Sequence, residues 1–116
     1  MTVPEHLRAR VNQPPPPALE QVRSFLRGYL SDAEGLDEVR ADLMRDAQAG
    51  INAVRGDLRA LEALIADPPG EDELMRLVGW DANWVLDEPS GPNALAWLRD
   101  LAQLVRNVLD DAEAAR

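Results

Sequence analysis

The chain contains no cysteine and no lysine, and its single histidine, His6, lies near the N-terminus. The missing cysteines exclude disulfides, cysteine–zinc sites and thiol catalysis. The missing lysines exclude a P-loop lysine and a Schiff-base enzyme. One histidine cannot build a histidine metal cluster, and it has no evident partners for a Ser-His-Asp relay. We therefore expect no metal, no cofactor and no enzymatic activity.

Two kinds of carboxylate site need separate consideration. A calcium loop starting at Asp81, with Asn83 and Asp87 as further ligands, lacks two required residues, because Leu86 stands at the glycine position and Pro92 at the bidentate glutamate position. A paired-carboxylate enzyme needs a deep pocket that shifts one pKa, and a small helical domain rarely offers one. Neither site changes the expectation of a protein without catalytic chemistry.

The composition predicts one helical domain. Aromatic residues are scarce, and the hydrophobic 46% of the 116 residues is mostly Leu, Ala and Val. Such residues suit helix packing better than a sheet, and the length suits a single core. No basic stretch followed by an apolar run opens the sequence, and no apolar run approaches membrane-spanning length. We therefore expect a soluble cytoplasmic protein that does not associate with a membrane.

The net charge is −9, and all twelve basic residues are arginine. An acidic surface repels phosphates, so direct nucleic-acid binding is not expected. The same surface steers a basic partner toward the protein. The alternative is that the charge only keeps a small protein soluble.

Apolar residues recur every three or four positions along most of the chain, which predicts an all-α fold of four to five helices in residues 18–112. Residues 1–17 are Pro-rich and end in four prolines, which predicts a polyproline II spacer, with a docking motif as the alternative. Ser31 and Glu34 have capping-box spacing and are predicted to separate the first two helices. The next apolar stripe, residues 36–65, contains Gly50 and Gly56, so it forms either one helix or two.

Later boundaries are marked more sharply. The sequence ADPPG, residues 66–70, ends a helix, and three acidic residues from Glu71 favour the N-terminus of the next one. Gly79 is predicted to end that short helix, and SGPN at residues 90–93 leads into the last one. Between them lies GWDANWVLDEPSGP, residues 79–92, which we call the tryptophan segment.

The tryptophan segment holds Trp80 and Trp84, and Trp97 follows on the last helix. We assign these three rings, with Phe25 and Tyr29, to the structural core, because they are the largest apolar side chains available to it. We expect at least two of the tryptophans to be largely buried, with an exposed tryptophan as a docking anchor being the alternative. Asp81, Asp87 and Glu88 are expected to project outward as an acidic rim, because carboxylates are not buried unpaired.

The order of these motifs resembles the helical immunity proteins of bacterial contact-dependent growth inhibition systems. The similar elements are FLRGYL at residues 25–30, DLRALEALIA at 57–66, EDELMRLVG at 71–79, WVLDEPSG at 84–91 and AWLRDL at 96–101. The resemblance covers residues 24–109. One difference is SDAE at residues 31–34, where family members often carry His-Gln-Asp-Trp.

The resemblance implies a cytoplasmic immunity protein that binds a cognate toxin domain, commonly a basic nuclease, as a monomer in a one-to-one complex. It would occlude the toxin and perform no chemistry. The predicted contact residues are Asp81, Asp87 and Glu88, followed by Asp32 and Glu34. Each of these could instead be a solvated charge, and the last two could be helix-capping groups. The alternative function is an acidic helical chaperone or a small regulatory partner-binding protein.

Overall fold

A computed structural model of the protein describes residues 17–115. Within that range it contains five α-helices and no strand, which confirms the predicted all-α fold. Their bounds are α1 Ala18–Tyr29, α2 Leu36–Ala49, α3 Ile51–Ala66, α4 Glu71–Arg76 and α5 Gly91–Ala114, and a π-helical turn, Leu77–Asp81, directly follows α4. His6 and the Pro-rich residues 1–16 lie outside the described residues, so the spacer there stays a prediction.

Glycine and proline set most helix boundaries. The long apolar stripe forms two helices, because Gly50 adopts an extended conformation (φ −165°, ψ 92°) between α2 and α3, whereas Gly56 stays inside α3. The prolines after Asp67 cannot continue α3, since they lack an N–H group and have a fixed φ. At the start of α5, the Ser90 side chain accepts a hydrogen bond from the Asn93 N–H at 3.2 Å, with proline in the first turn.

Two predicted boundaries are wrong. Ser31 does not cap α2, because its hydroxyl donates to the Arg27 carbonyl at 2.6 Å and the N-cap of α2 is Gly35. The Glu38 carboxylate, three residues after the N-cap, accepts the Glu34 N–H at 3.1 Å, one residue before the N-cap that a capping box would use. Gly79 does not end its helix either: the chain continues as a π turn, in which the Ala82 N–H donates to the Leu77 carbonyl at 2.9 Å.

The core lies among α1, α2, α3 and α5. α3 packs against both α1 and α5, α2 packs against α5 and α3, and the π turn contacts α1. Each long helix contributes side chains with no exposed surface, among them Val22, Leu26, Val39, Leu43, Leu61, Leu98 and Val105. Their spacing of three or four along each helix is the apolar stripe seen in the sequence.

Two interhelical ion pairs show that α3 and α5 run antiparallel. Arg55 near the start of α3 pairs with Glu113 near the end of α5, and Glu62 pairs with Arg106 at 2.8 Å. A third pair, Arg40 with Asp111 at 2.8 Å, joins α2 to α5. None of the helices within residues 17–115 combines the length and apolarity that crossing a membrane requires.

Candidate partner-binding surface

The π turn places Trp80 outside and Asp81 inside, which reverses both predictions. Trp80 is 76% exposed and is not part of the core, whereas Asp81 is 1% exposed and is not part of an acidic rim. The reason is helical phase: position 81 lies four residues, about one π turn, after the buried Leu77 and so faces the same side as Leu77 and Val78. Position 80 then points to solvent.

Asp81 is buried because two arginines of α1 neutralise it. Its carboxylate accepts hydrogen bonds from Arg23 Nε at 3.3 Å and from Arg27 Nε at 2.8 Å. These arginines lie four residues apart on one face of α1. Burial lowers the pKa of Arg23, but hydrogen bonds to Asp81 and Glu73 outweigh it and raise that pKa above its ordinary value. The pairing ties the π turn to α1.

The other two tryptophans hold the segment against the core. Trp84 and Trp97 are partly buried and pack on the core, with ring centroids 5.7 Å apart and planes tilted by 43°. The backbone N–H of Trp84 also donates to the Val78 carbonyl at 3.0 Å. Elsewhere, Phe25 is buried and Tyr29 is partly buried, and their ring centroids are 5.1 Å apart. Trp84 is thus the ring that fixes the loop.

An apolar pocket of about 220 Å³ opens on the outer side of this segment. Its lining residues are Met75, Val78, Gly79, Trp84, Val85, Leu86 and Pro89. Val85 is 89% exposed, and the exposed Trp80 directly follows Gly79 in the chain. Large apolar side chains exposed beside an apolar concavity are typical of interaction sites.

The remaining predicted contact residues surround the same region. Asp87 and Glu88 are exposed, and with Leu86 and Asn93 they line a shallow depression of about 370 Å³. Asp32 and Glu34 are exposed in the link between α1 and α2. The Asn83 side-chain amide donates to the Ser31 carbonyl at 3.2 Å, which joins this link to the tryptophan segment. Asn83 adopts a left-handed conformation (φ 54°), one that asparagine tolerates.

Asp37 and Glu38 were not among the predicted contact residues, although both are exposed in the first turn of α2 beside the link. The density of acids in DAEGLDE, residues 32–38, was a usable signal for them. We call the six exposed carboxylates of the link, the first turn of α2 and the tryptophan segment the acidic end. Its members are Asp32, Glu34, Asp37, Glu38, Asp87 and Glu88.

The charges of the described residues divide unequally. Most of their arginines are in ion pairs with carboxylates, such as Arg40 with Asp111 and Arg106 with Glu62. No arginine within residues 17–115 forms an ion pair with any carboxylate of the acidic end. These six groups therefore present their negative charge to solvent without local neutralisation.

Within the same residues, no group of three or more His, Asp or Glu side chains is arranged to hold a metal ion. No family model, curated protein or solved structure matches the chain.

Proposed function

We propose that the protein is an immunity-type inhibitor that binds a basic toxin domain in a one-to-one complex and neutralises it by occlusion. The proposal combines the sequence resemblance with one observation, the concentration of exposed, unpaired carboxylates at the acidic end. In this proposal the protein contributes a binding surface and performs no chemistry.

Electrostatic complementarity supports this function. Nuclease toxins bind polyanionic substrates through basic clefts, and a basic cleft also attracts a cluster of carboxylates. Because no arginine of residues 17–115 pairs with the carboxylates of the acidic end, their charge is available for such a cleft. Complementary charges accelerate association and exclude neutral or acidic competitors. The acidic end would then occupy the place of the nucleic-acid backbone.

The exposure of Trp80 and Val85 favours a second candidate, an acidic chaperone or regulator that binds an extended apolar client. Such a protein would form a stable dimer and would bind unfolded segments of several sequences. An inhibitor would remain a monomer and bind one folded domain. Sedimentation analysis of the free protein and competition with an unfolded, permanently denatured carrier protein separate the two functions.

The test is co-purification with the C-terminal domain of the protein encoded immediately upstream, at low and then moderate salt. We expect a one-to-one complex that weakens as salt rises and that abolishes the toxicity of that domain in cells. A domain that is toxic but neither bound nor neutralised would contradict the proposal.

A matched pair of double variants locates the charge effect. D87N/E88Q removes two carboxylates of the acidic end, while D67N/D110N removes two exposed carboxylates outside it. Asp110 lies nineteen residues after Gly91 in α5, or about 28 Å along the helix axis. We expect D87N/E88Q to slow association and flatten its salt dependence, and D67N/D110N to change both much less. Equal effects would mean that only net charge matters.

A further inference from the structure

We propose that Trp80, Val85 and the adjoining apolar pocket form the anchor of the interface, and that the partner inserts an apolar side chain flanked by an arginine or lysine. This inference rests on the proposed function and assigns the contact surface within it. The occupant to which we commit is a folded basic toxin domain.

Large apolar side chains that are exposed to solvent mark this surface. Trp80 is 76% exposed, Val85 is 89% exposed and Leu36 is 40% exposed. These three are the exposed large hydrophobic residues within residues 17–115. Val85 lines a pocket of about 220 Å³ whose lining side chains are apolar, and Trp80 directly follows Gly79, another lining residue. A pocket of that size suits one apolar side chain, and a neighbouring tryptophan suits a central contact.

Two contacts hold the backbone that carries Trp80 and Val85. Asp81, next to Trp80, holds the π turn through its two arginines, and Trp84, next to Val85, packs against Trp97. Trp80 and Val85 are therefore each displayed next to a residue that is held in place. A preorganised surface loses little conformational entropy on binding, which favours a specific folded partner over an adaptable client.

Charge complementarity identifies the partner. Leu86 lines the apolar pocket and also the neighbouring depression that contains Asp87 and Glu88. An apolar side chain in the first cavity thus places its sequence or surface neighbour beside two unpaired carboxylates. Arginine or lysine is the neighbour that satisfies them, since both donate charge-assisted hydrogen bonds. A second copy of this acidic chain would instead bring like charges together at the same place.

The experiment measures binding of wild type and variants to the upstream-encoded C-terminal domain by surface plasmon resonance. W80A is expected to raise Kd about 30-fold, mainly through faster dissociation, as for a central tryptophan contact. V85A is expected to have a smaller effect in the same direction. Q103A, which truncates an exposed side chain in the groove between α3 and α5 and outside the acidic end, serves as the control and should leave Kd within about threefold. Circular dichroism checks that each variant stays folded.

The outcomes distinguish the two proposals. If wild type binds and W80A binds equally well, the anchor is overturned and the proposed function stands. If wild type does not bind, both fail. If Q103A weakens binding as much as W80A does, the surface is misplaced. A wild-type dimer that W80A dissociates would make this face a self-association surface and would also overturn the inference. Loss of affinity in W80A alone, with a monomeric wild type, supports it.

Discussion

Asp81 accepts a hydrogen bond from Arg27 at 2.8 Å, although Asp81 is 1% exposed and the Arg27 side chain is 60% exposed. The pair therefore spans the boundary between core and solvent. One carboxylate inside the protein is satisfied by guanidinium groups that reach it from the surface of α1. This arrangement lets an acidic residue lie beneath an exposed tryptophan without an uncompensated buried charge.

Replacing Asp81 with alanine is expected to destabilise the fold by about 2–3 kcal/mol. The loss is below the upper range for buried ion pairs because Arg27, once released, is hydrated. Urea denaturation followed by circular dichroism measures it. D110N, which neutralises an exposed carboxylate, is the control and should change the free energy of unfolding by less than about 0.5 kcal/mol. An unchanged D81A would show that the cluster contributes nothing to folding.

The tryptophans are expected to differ in their contribution to stability. W97A removes a ring that packs on both Trp84 and the core, and it should cost about 2–4 kcal/mol. W80A should cost less than about 0.5 kcal/mol, because that ring is mostly in solvent. Thermal unfolding of the two variants provides the comparison. A large loss in W80A would contradict the outward position of this ring.

Gly91 lies against the α4 residue Glu71, and the contact leaves no room for a side chain. The Gly91 N–H donates to Glu71 Oε1 at 3.1 Å, and a Cβ at position 91 would lie 2.8 Å from Glu71 Cγ. G91A is therefore expected to cost about 1–2 kcal/mol. In an E71A background the same substitution should cost less, because the contact with Cγ is gone and only the one with Cβ, at 3.1 Å, remains. A double-mutant cycle measures this coupling, and strictly additive losses would contradict it.

Tyr29 is expected to resist ionisation. Burial and the hydrogen bond from its hydroxyl to Asp46 raise its pKa above the ordinary value of 10.0. In the folded state the proton is thus retained at pH values where the unfolded chain has lost it. The stabilisation is complete below pH 10.0 and is lost as pH rises through the higher folded pKa.

Because the chain has one tyrosine, tyrosinate absorbance in an alkaline titration reports on this residue alone. In wild type, Tyr29 should ionise at a pH well above the pKa of free tyrosine. In D46N, Tyr29 should ionise at a lower pH than in wild type. Identical titrations of D46N and wild type would show that Asp46 does not hold the proton. Circular dichroism at each pH shows whether ionisation precedes unfolding.

The helices were predictable where single residues decide the backbone. The prolines after Asp67 and the Ser90 cap act through local sterics and hydrogen bonds, so their effects are readable in the sequence. Gly50 left open whether residues 36–65 form one helix or two, because glycine weakens a helix without ending it.

The prediction at Gly79 was wrong because glycine only weakens a helix. The buried side chains of the π turn keep the backbone helical through this position. The prediction at Ser31 was wrong because its hydroxyl can either cap a helix or form another hydrogen bond, and here it donates to the Arg27 carbonyl.

The candidate surface was predicted in part. The tryptophan segment was identified as a candidate surface, but Trp80 was predicted to be buried and Asp81 to be exposed. The structure shows the reverse. Hydrophobicity placed the tryptophan inside, whereas helical phase placed it outside. Phase could be judged only once the π turn was known to continue α4. The partners of Asp81, Arg23 and Arg27, lie more than fifty residues away in sequence, so composition alone could not supply them.

The two ion pairs between α3 and α5 have a consequence for the tolerance of the chain to length changes. Seven residues separate Arg55 from Glu62, and seven separate Arg106 from Glu113. Seven residues are two turns of a helix at 3.5 residues per turn, the heptad repeat of an antiparallel coiled coil. One inserted residue between the pairs would rotate the following side chains by about 100° away from the seam. Substitutions there should be tolerated far better than insertions or deletions.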